Sequence, residues 1–134
     1  MGDYFKHWIK MGKLLGDKAP KIFGVNWFRV DEDGKFIWPG FGDNIRVLEW
    51  ILKRCDNKID AKSTAIGYMP FENDINLEES GVSKETLKKL LNIDKNLWIK
   101  ELDSIKEFYK IFGDNLSKDL KNELNKLQSR LENM

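Results

Sequence analysis

Apolar positions recur at helical spacing in five stretches of this chain and lose that spacing in one aromatic-rich interval. Tyr4, Phe5, Trp8, Ile9, Met11 and Leu15 form the apolar face of a short helix from Asp3 to about Leu15, with Asp3 placed to cap its start and Gly16-Asp17-Lys18-Ala19-Pro20 ending it. Val47, Leu48, Ile51, Leu52 and Cys55 share one face of a second helix, capped by Asp43 or Asn44. Ser83-Lys84-Glu85 opens a third, with Leu87, Leu90 and Leu91 turned inward. Trp98, Leu102, Ile105, Tyr109 and Phe112 step by 4, 3, 4 and 3 along a longer helix from Asp94 to Phe112. Gly113-Asp114-Asn115 breaks it, and Leu116, Leu120, Leu124, Leu127 and Leu131 mark a terminal helix, which makes a C-terminal helical hairpin.

Between the first two helices the pattern changes. Lys21 to Phe28 carries Ile22, Phe23, Val25 and Trp27 in partial alternation and reads as a strand. Asp31-Glu32-Asp33-Gly34 signals a tight turn, from which Lys35 to Trp38 returns as a second short strand, and Pro39-Gly40-Phe41-Gly42 reads as irregular backbone. Further on, Ala65 to Met69 is a short apolar piece closed by Pro70, and Glu72 to Ser80 reads as an acidic exposed loop. The expected fold is α/β: a small sheet near the aromatic segment, flanked by helices, without internal repeats or low-complexity linkers.

Composition narrows the function classes. At 134 residues, with 41% hydrophobic and 34% charged, the chain suits one domain with a core rather than a disordered tail. A net charge of +1 gives no broad attraction to nucleic acid or anionic lipid. No apolar run approaches the roughly 20 residues that span a bilayer, and no basic-then-apolar leader opens the chain. The lone Cys55 excludes an internal disulfide and fits a reducing cytoplasm; at a helix C-terminus, where the dipole disfavours a thiolate, it reads as packing.

Most catalytic chemistry is unprovided for. Neither a G-x-x-x-x-G-K-[ST] phosphate loop nor a G-x-G-x-x-G fingerprint occurs. One His and one Cys make no zinc site, and His7 beside Trp8 on an amphipathic helix is the setting of a structural histidine. The late leucine stripes are too short for a coiled-coil assignment and read as ordinary packing, with Lys84–Lys89 and Lys118–Lys126 on solvated faces. The stretch from Asn26 to Asn44 offers more. Trp27, Phe28, Phe36, Trp38 and Phe41 stand there among Gly34, Gly40 and Gly42, and Asn44 carries both a donor and an acceptor. Flat aromatic faces stack on nucleobases for about 1–3 kcal/mol each, so a base-binding slot is open to this composition. On the residues alone, aromatics that cap a core beneath a loop remain the commoner arrangement.

The runs K-I-F-G-V-N-W-F-R (Lys21–Arg29), G-K-F-I-W-P-G-F-G-D-N (Gly34–Asn44) and R-V-L-E-W (Arg46–Trp50) closely resemble GTP-dependent phosphoenolpyruvate carboxykinase. Gly2–Tyr4, His7-Trp8, Ala19–Phe23 and Ile66–Pro70 support the likeness, which covers nearly the whole chain and is looser after Asn76. The resemblance implies that residues 1–134 are a C-terminal portion of that enzyme's nucleotide-binding C-terminal domain. It implies that Phe28, Phe36 and Phe41 enclose the guanine of GTP or GDP, that Asn44 contacts the base edge, and that Trp27 is support. Asp43 where the family usually has Glu, and Gly24 where it has a larger residue, are departures. The family reaction is a lyase (decarboxylase) step of gluconeogenic or anaplerotic exchange. It turns oxaloacetate and GTP into phosphoenolpyruvate, CO2 and GDP, with a phosphate loop, a Mn2+ site of Lys, His and Asp, substrate-binding arginines and a lid, all upstream in the family and unmatched here. The expectation is therefore a chain inactive by itself and without metal ligands. It would be a fragment, a separate domain piece or a split-enzyme subunit partnered by the missing N-terminal part, with a non-binding helical scaffold as the remaining alternative.

Overall fold

A computed structural model describes all 134 residues. The helices are α1 (Gly2–Leu15), α2 (Asn44–Cys55), α3 (Lys84–Leu91), α4 (Lys95–Lys110) and α5 (Lys118–Glu132), and a hairpin of β1 (Lys62–Thr64) and β2 (Gly67–Met69) is the only sheet. The α/β expectation holds in this coarse form. The sheet itself is antiparallel, with Lys62 opposite Met69 and Thr64 opposite Gly67, and it forms around the apolar piece near Ala65 rather than in the aromatic interval. The residues group into two compact units, one made of Met1–Pro20 with Ile93–Met134, the other of Lys21–Asn92.

In the first unit α4 and α5 form the expected hairpin, with Leu102, Leu116 and Leu131 buried. Asp94 and Ser117 cap these two helices by accepting the amide hydrogens of Leu97 and Asp119. Lys95 donates to the Glu132 carbonyl, placing a cation at the C-terminal end of α5 where the exposed carbonyls favour it. Asp3 does not cap α1. It lies inside the first turn, beyond the Met1 N-cap, and pairs with Lys6 instead. Of the α1 face read from the sequence, Phe5, Ile9 and Met11 are partly buried, with Phe5 set edge-on to Phe112, whereas Tyr4 and Trp8 stay exposed.

The second unit is built on Trp38, Trp50, Ile75 and Leu87, with Phe23, Trp27, Val47, Ile51, Ile59 and Leu77 packed around them. Ser83 caps α3 by accepting from the Thr86 amide. Glu85 in that first turn is held below the usual carboxylate range by its own backbone N–H and then by the Ser83 hydroxyl. Lys21 closes the other end of α2, donating to the Arg54 carbonyl at 2.7 Å.

Four readings of this unit are corrected. Lys21–Phe28 forms no strand, because no neighbouring segment offers it a ladder; Phe23 and Trp27 pack against the core. Lys35–Trp38 contributes only a single bridge, Phe36 to Val30. The loop from Glu72 to Ser80 is not simply exposed, since Ile75 and Ser80 are buried and Asp74 accepts from both the Phe71 amide and the Trp50 indole. The inward edge of α2 centres on Trp50 with Val47 and Ile51, so Cys55, Leu48 and Leu52 are exposed and the thiol is not a packing group.

Two α1 glycines give substitutions of opposite sign. A Cβ on buried Gly2 would stand 2.9 Å from the Asn115 carbonyl oxygen, whereas one on Gly12 meets nothing within 4 Å. Gly2→Ala is expected to destabilise by about 1–3 kcal/mol through overpacking, and Gly12→Ala to stabilise by about 0.5–1 kcal/mol through the lost backbone freedom of the unfolded chain. Urea denaturation followed by circular dichroism decides the matter; equal effects of one sign would contradict the packing described for Gly2.

Candidate functional site

The aromatic interval is shaped by its polar residues. Asn26 folds its carboxamide back to accept the Phe28 amide at 3.0 Å, a local turn that presents Phe28 at a bend. Asp31 accepts from the amides of Asp33 and Lys35, while its own amide donates to the Lys35 carbonyl, closing the turn around Gly34 at φ 76°. The Ile37 amide donates to the Arg29 carbonyl, and Arg29 in turn donates to the Leu90 carbonyl at the end of α3, pinning the returning limb to the core. This brings Phe28 and Phe36 together, ring centroids 6.0 Å apart and tilted by 62°.

After Pro39 the chain turns through Gly40, at φ 108° and ψ −147°, a conformation closed to residues with a β-carbon. A single 3-10 turn of Phe41–Asp43 then leads into α2. Neither Asp43 nor Asn44 caps α2 by a side-chain hydrogen bond. Asp43 is drawn to Arg46 at 2.8 Å, and Arg46 also reaches the Asn76 carbonyl. The Asn44 carboxamide is engaged by the Trp38 indole, whose Nε1–H donates to Oδ1 at 2.9 Å.

The five aromatics of the interval thus part into two sets. Trp38 is 5% exposed and Trp27 packs against the same core cluster. Phe28, Phe36 and Phe41 are 73%, 64% and 96% exposed. Of the four residues singled out for a guanine, the fold brings Phe28 and Phe36 into contact, holds Asn44 against Trp38, and leaves Phe41 without a ring neighbour. A shallow groove of about 420 Å³ lies away from these residues, within the first unit, lined by Lys6, Lys10, Lys13 and Asp119 among others. The hydrogen bond from Trp38 to Asn44 is the relationship between candidate residues that sequence reading missed. Its available signal was general, since a buried indole N–H needs an acceptor and Asn44 lies six residues on.

A family model described as the phosphoenolpyruvate carboxykinase C-terminal P-loop domain matches residues 1–130. The chain belongs to that family. It is 45% identical over 98% of its length to the phosphoenolpyruvate carboxykinase [GTP] of Chlamydia caviae, and 48% identical over 98% to that of Treponema pallidum strain Nichols. The enzyme of that name from Renibacterium salmoninarum is 47% identical over 97% of the chain. In each case the chain spans about a fifth of the relative, 22%. The carboxykinase phosphate loop has no sequence counterpart among these residues, and no three His, Cys, Asp or Glu side chains converge to hold a metal ion. The donor set here therefore does not fit a manganese site. No helix is long and apolar enough to cross a membrane.

The division of the aromatics has a thermodynamic consequence. Trp38→Ala should cost about 3–5 kcal/mol of stability, the range for deleting a buried large aromatic, whereas Phe41→Ser and Phe28→Ser should stay within about 1 kcal/mol. Denaturant titration of the three variants measures this. A loss at Phe41 comparable to that at Trp38 would mean that the exposed ring is core after all.

Proposed function

We propose that this chain carries the guanine-binding segment of a GTP-dependent phosphoenolpyruvate carboxykinase. One observation supports the reading above others. The three phenylalanines that the family resemblance places around the base, Phe28, Phe36 and Phe41, are the aromatics left open to solvent, while Trp27 and Trp38 of the same interval are taken into the core. Exposed rings cost hydration free energy unless a ligand covers them, and a planar base stacked on one contributes about 1–3 kcal/mol. Asn44, partly buried at the start of α2, adds a polar group at the base edge. A wrong base that leaves such a group unpaired costs about 1–3 kcal/mol.

In the assembled enzyme the reaction is the conversion of oxaloacetate and GTP to phosphoenolpyruvate, CO2 and GDP. Phosphoryl transfer needs cations positioned around the phosphates. The phosphate loop, the manganese ligands and the lid would come from the remainder of the carboxykinase, so that this chain contributes base recognition and no chemical step. Ile22, Ile45 and Leu52, all largely exposed, favour association with that remainder over a free-standing role.

Tryptophan fluorescence titrated with GDP, with ADP as control, tests the reading. Saturable quenching by GDP is expected, weak with ADP, and Asn44→Ala should reduce GDP affinity by about tenfold while leaving the circular dichroism spectrum unchanged. Equal responses to GDP and ADP, or indifference of GDP binding to Asn44→Ala and to Phe41→Ser, would leave a helical scaffold as the better account.

A further inference from the structure

We infer that Trp38 is a positioning residue that sets the hydrogen-bonding polarity of Asn44, and through it the preference for a 6-keto over a 6-amino purine. The inference rests on the guanine reading above. A carboxamide has two faces of opposite character: Oδ1 only accepts, and the Nδ2 group only donates. Turned over, the same Asn44 would offer a base edge the opposite polarity. Left free, it would satisfy a keto oxygen in one orientation and an amino group in the other, and would select neither.

The fold removes that freedom. An indole Nε1–H can only donate, and that of Trp38 lies 2.9 Å from Asn44 Oδ1. Turning the carboxamide over would set two donors against each other at that distance. The indole cannot retreat, because it is 5% exposed and wedged in the cluster with Trp50, Ile75 and Leu87. Nor can Asn44 move away easily, since its backbone is the first residue of α2, with the 3-10 turn of Phe41–Asp43 directly before it. The group that Asn44 retains for a ligand is therefore Nδ2 with its hydrogens. A keto oxygen at purine position 6 accepts from it; an amino group there faces donor against donor.

The test varies the polarity of the purine edge and reads the effect of the indole N–H upon it. Binding of GDP is compared with binding of 2,6-diaminopurine riboside 5′-diphosphate, which has an amino group in place of the 6-keto group and, with it, an accepting N1 in place of N1–H. The N1 difference is the same for every chain, so the change in the ratio between chains reports on Trp38. The full chain is assembled with 3-benzothienylalanine in place of Trp38, which keeps the bicyclic ring and its volume but has sulfur where the N–H was. A second chain carries 5-fluorotryptophan at position 38, which perturbs the ring and keeps the N–H. The unmodified and fluorinated chains should favour GDP by about tenfold or more, and in the benzothienyl chain that preference should fall by about tenfold. Weaker packing alone would lower both affinities and leave their ratio unchanged. A ratio preserved in the benzothienyl chain overturns the role given to Trp38 and leaves the guanine reading standing. Failure of the unmodified chain to bind either nucleotide removes the guanine reading, and this inference falls with it.

Discussion

Two buried indoles organise the Lys21–Asn92 unit, and each needs an acceptor for its N–H. An unpaired buried donor costs about 1–3 kcal/mol, a substantial share of the stability of a small unit. Trp38 finds its acceptor in Asn44 and Trp50 finds its own in Asp74. The first bond ties the returning limb of the aromatic loop to the start of α2, and the second ties the middle of α2 to the loop after β2. Asp74 then serves a further donor, the Phe71 amide, so the satisfaction of one tryptophan also shapes the turn beneath it.

Glycines and short polar side chains determine which aromatic rings remain outside. Asn26 and Asp31 fold back on nearby amides, and Gly34 and Gly40 take conformations that bend the chain sharply. A regular strand would have sent alternate residues to one side. The bent path instead sends Phe23, Trp27 and Trp38 inward and leaves Phe28, Phe36 and Phe41 in solvent. This segment buries part of its apolar surface to hold its shape and leaves the rest uncovered.

The helices were legible because their apolar residues recur every three or four positions and their caps are local: Ser83 and Asp94 accept from amides three residues away. The Gly113–Asn115 break was equally local. What local pattern could not supply was partnership. Alternation in Lys21–Phe28 suggests a strand, yet a strand requires a neighbour, and none is present. The stripe through Leu48, Leu52 and Cys55 is as periodic as the one through Val47 and Ile51, and only the placement of Trp50 decides which edge of α2 is buried. The candidate site was legible as a set of residue types through a long, unusual motif; the division of its aromatics, and the engagement of Asn44 by Trp38, arise from three-dimensional packing that no spacing encodes.

The order in which the chain is made has a bearing on the first unit. Its two pieces, Met1–Pro20 and Ile93–Met134, are separated by the whole of Lys21–Asn92, which is continuous in sequence and holds its own core. As the polypeptide leaves the ribosome, the continuous unit can settle first, whereas α1 has no partner from its own unit until α4 and α5 have emerged. Prior folding of the intervening residues shortens the effective loop that must close to bring the two pieces together, which lowers the entropy lost in closing it. Until α4 and α5 have emerged, Phe5 of α1 lacks the edge-on contact with Phe112 that its own unit supplies.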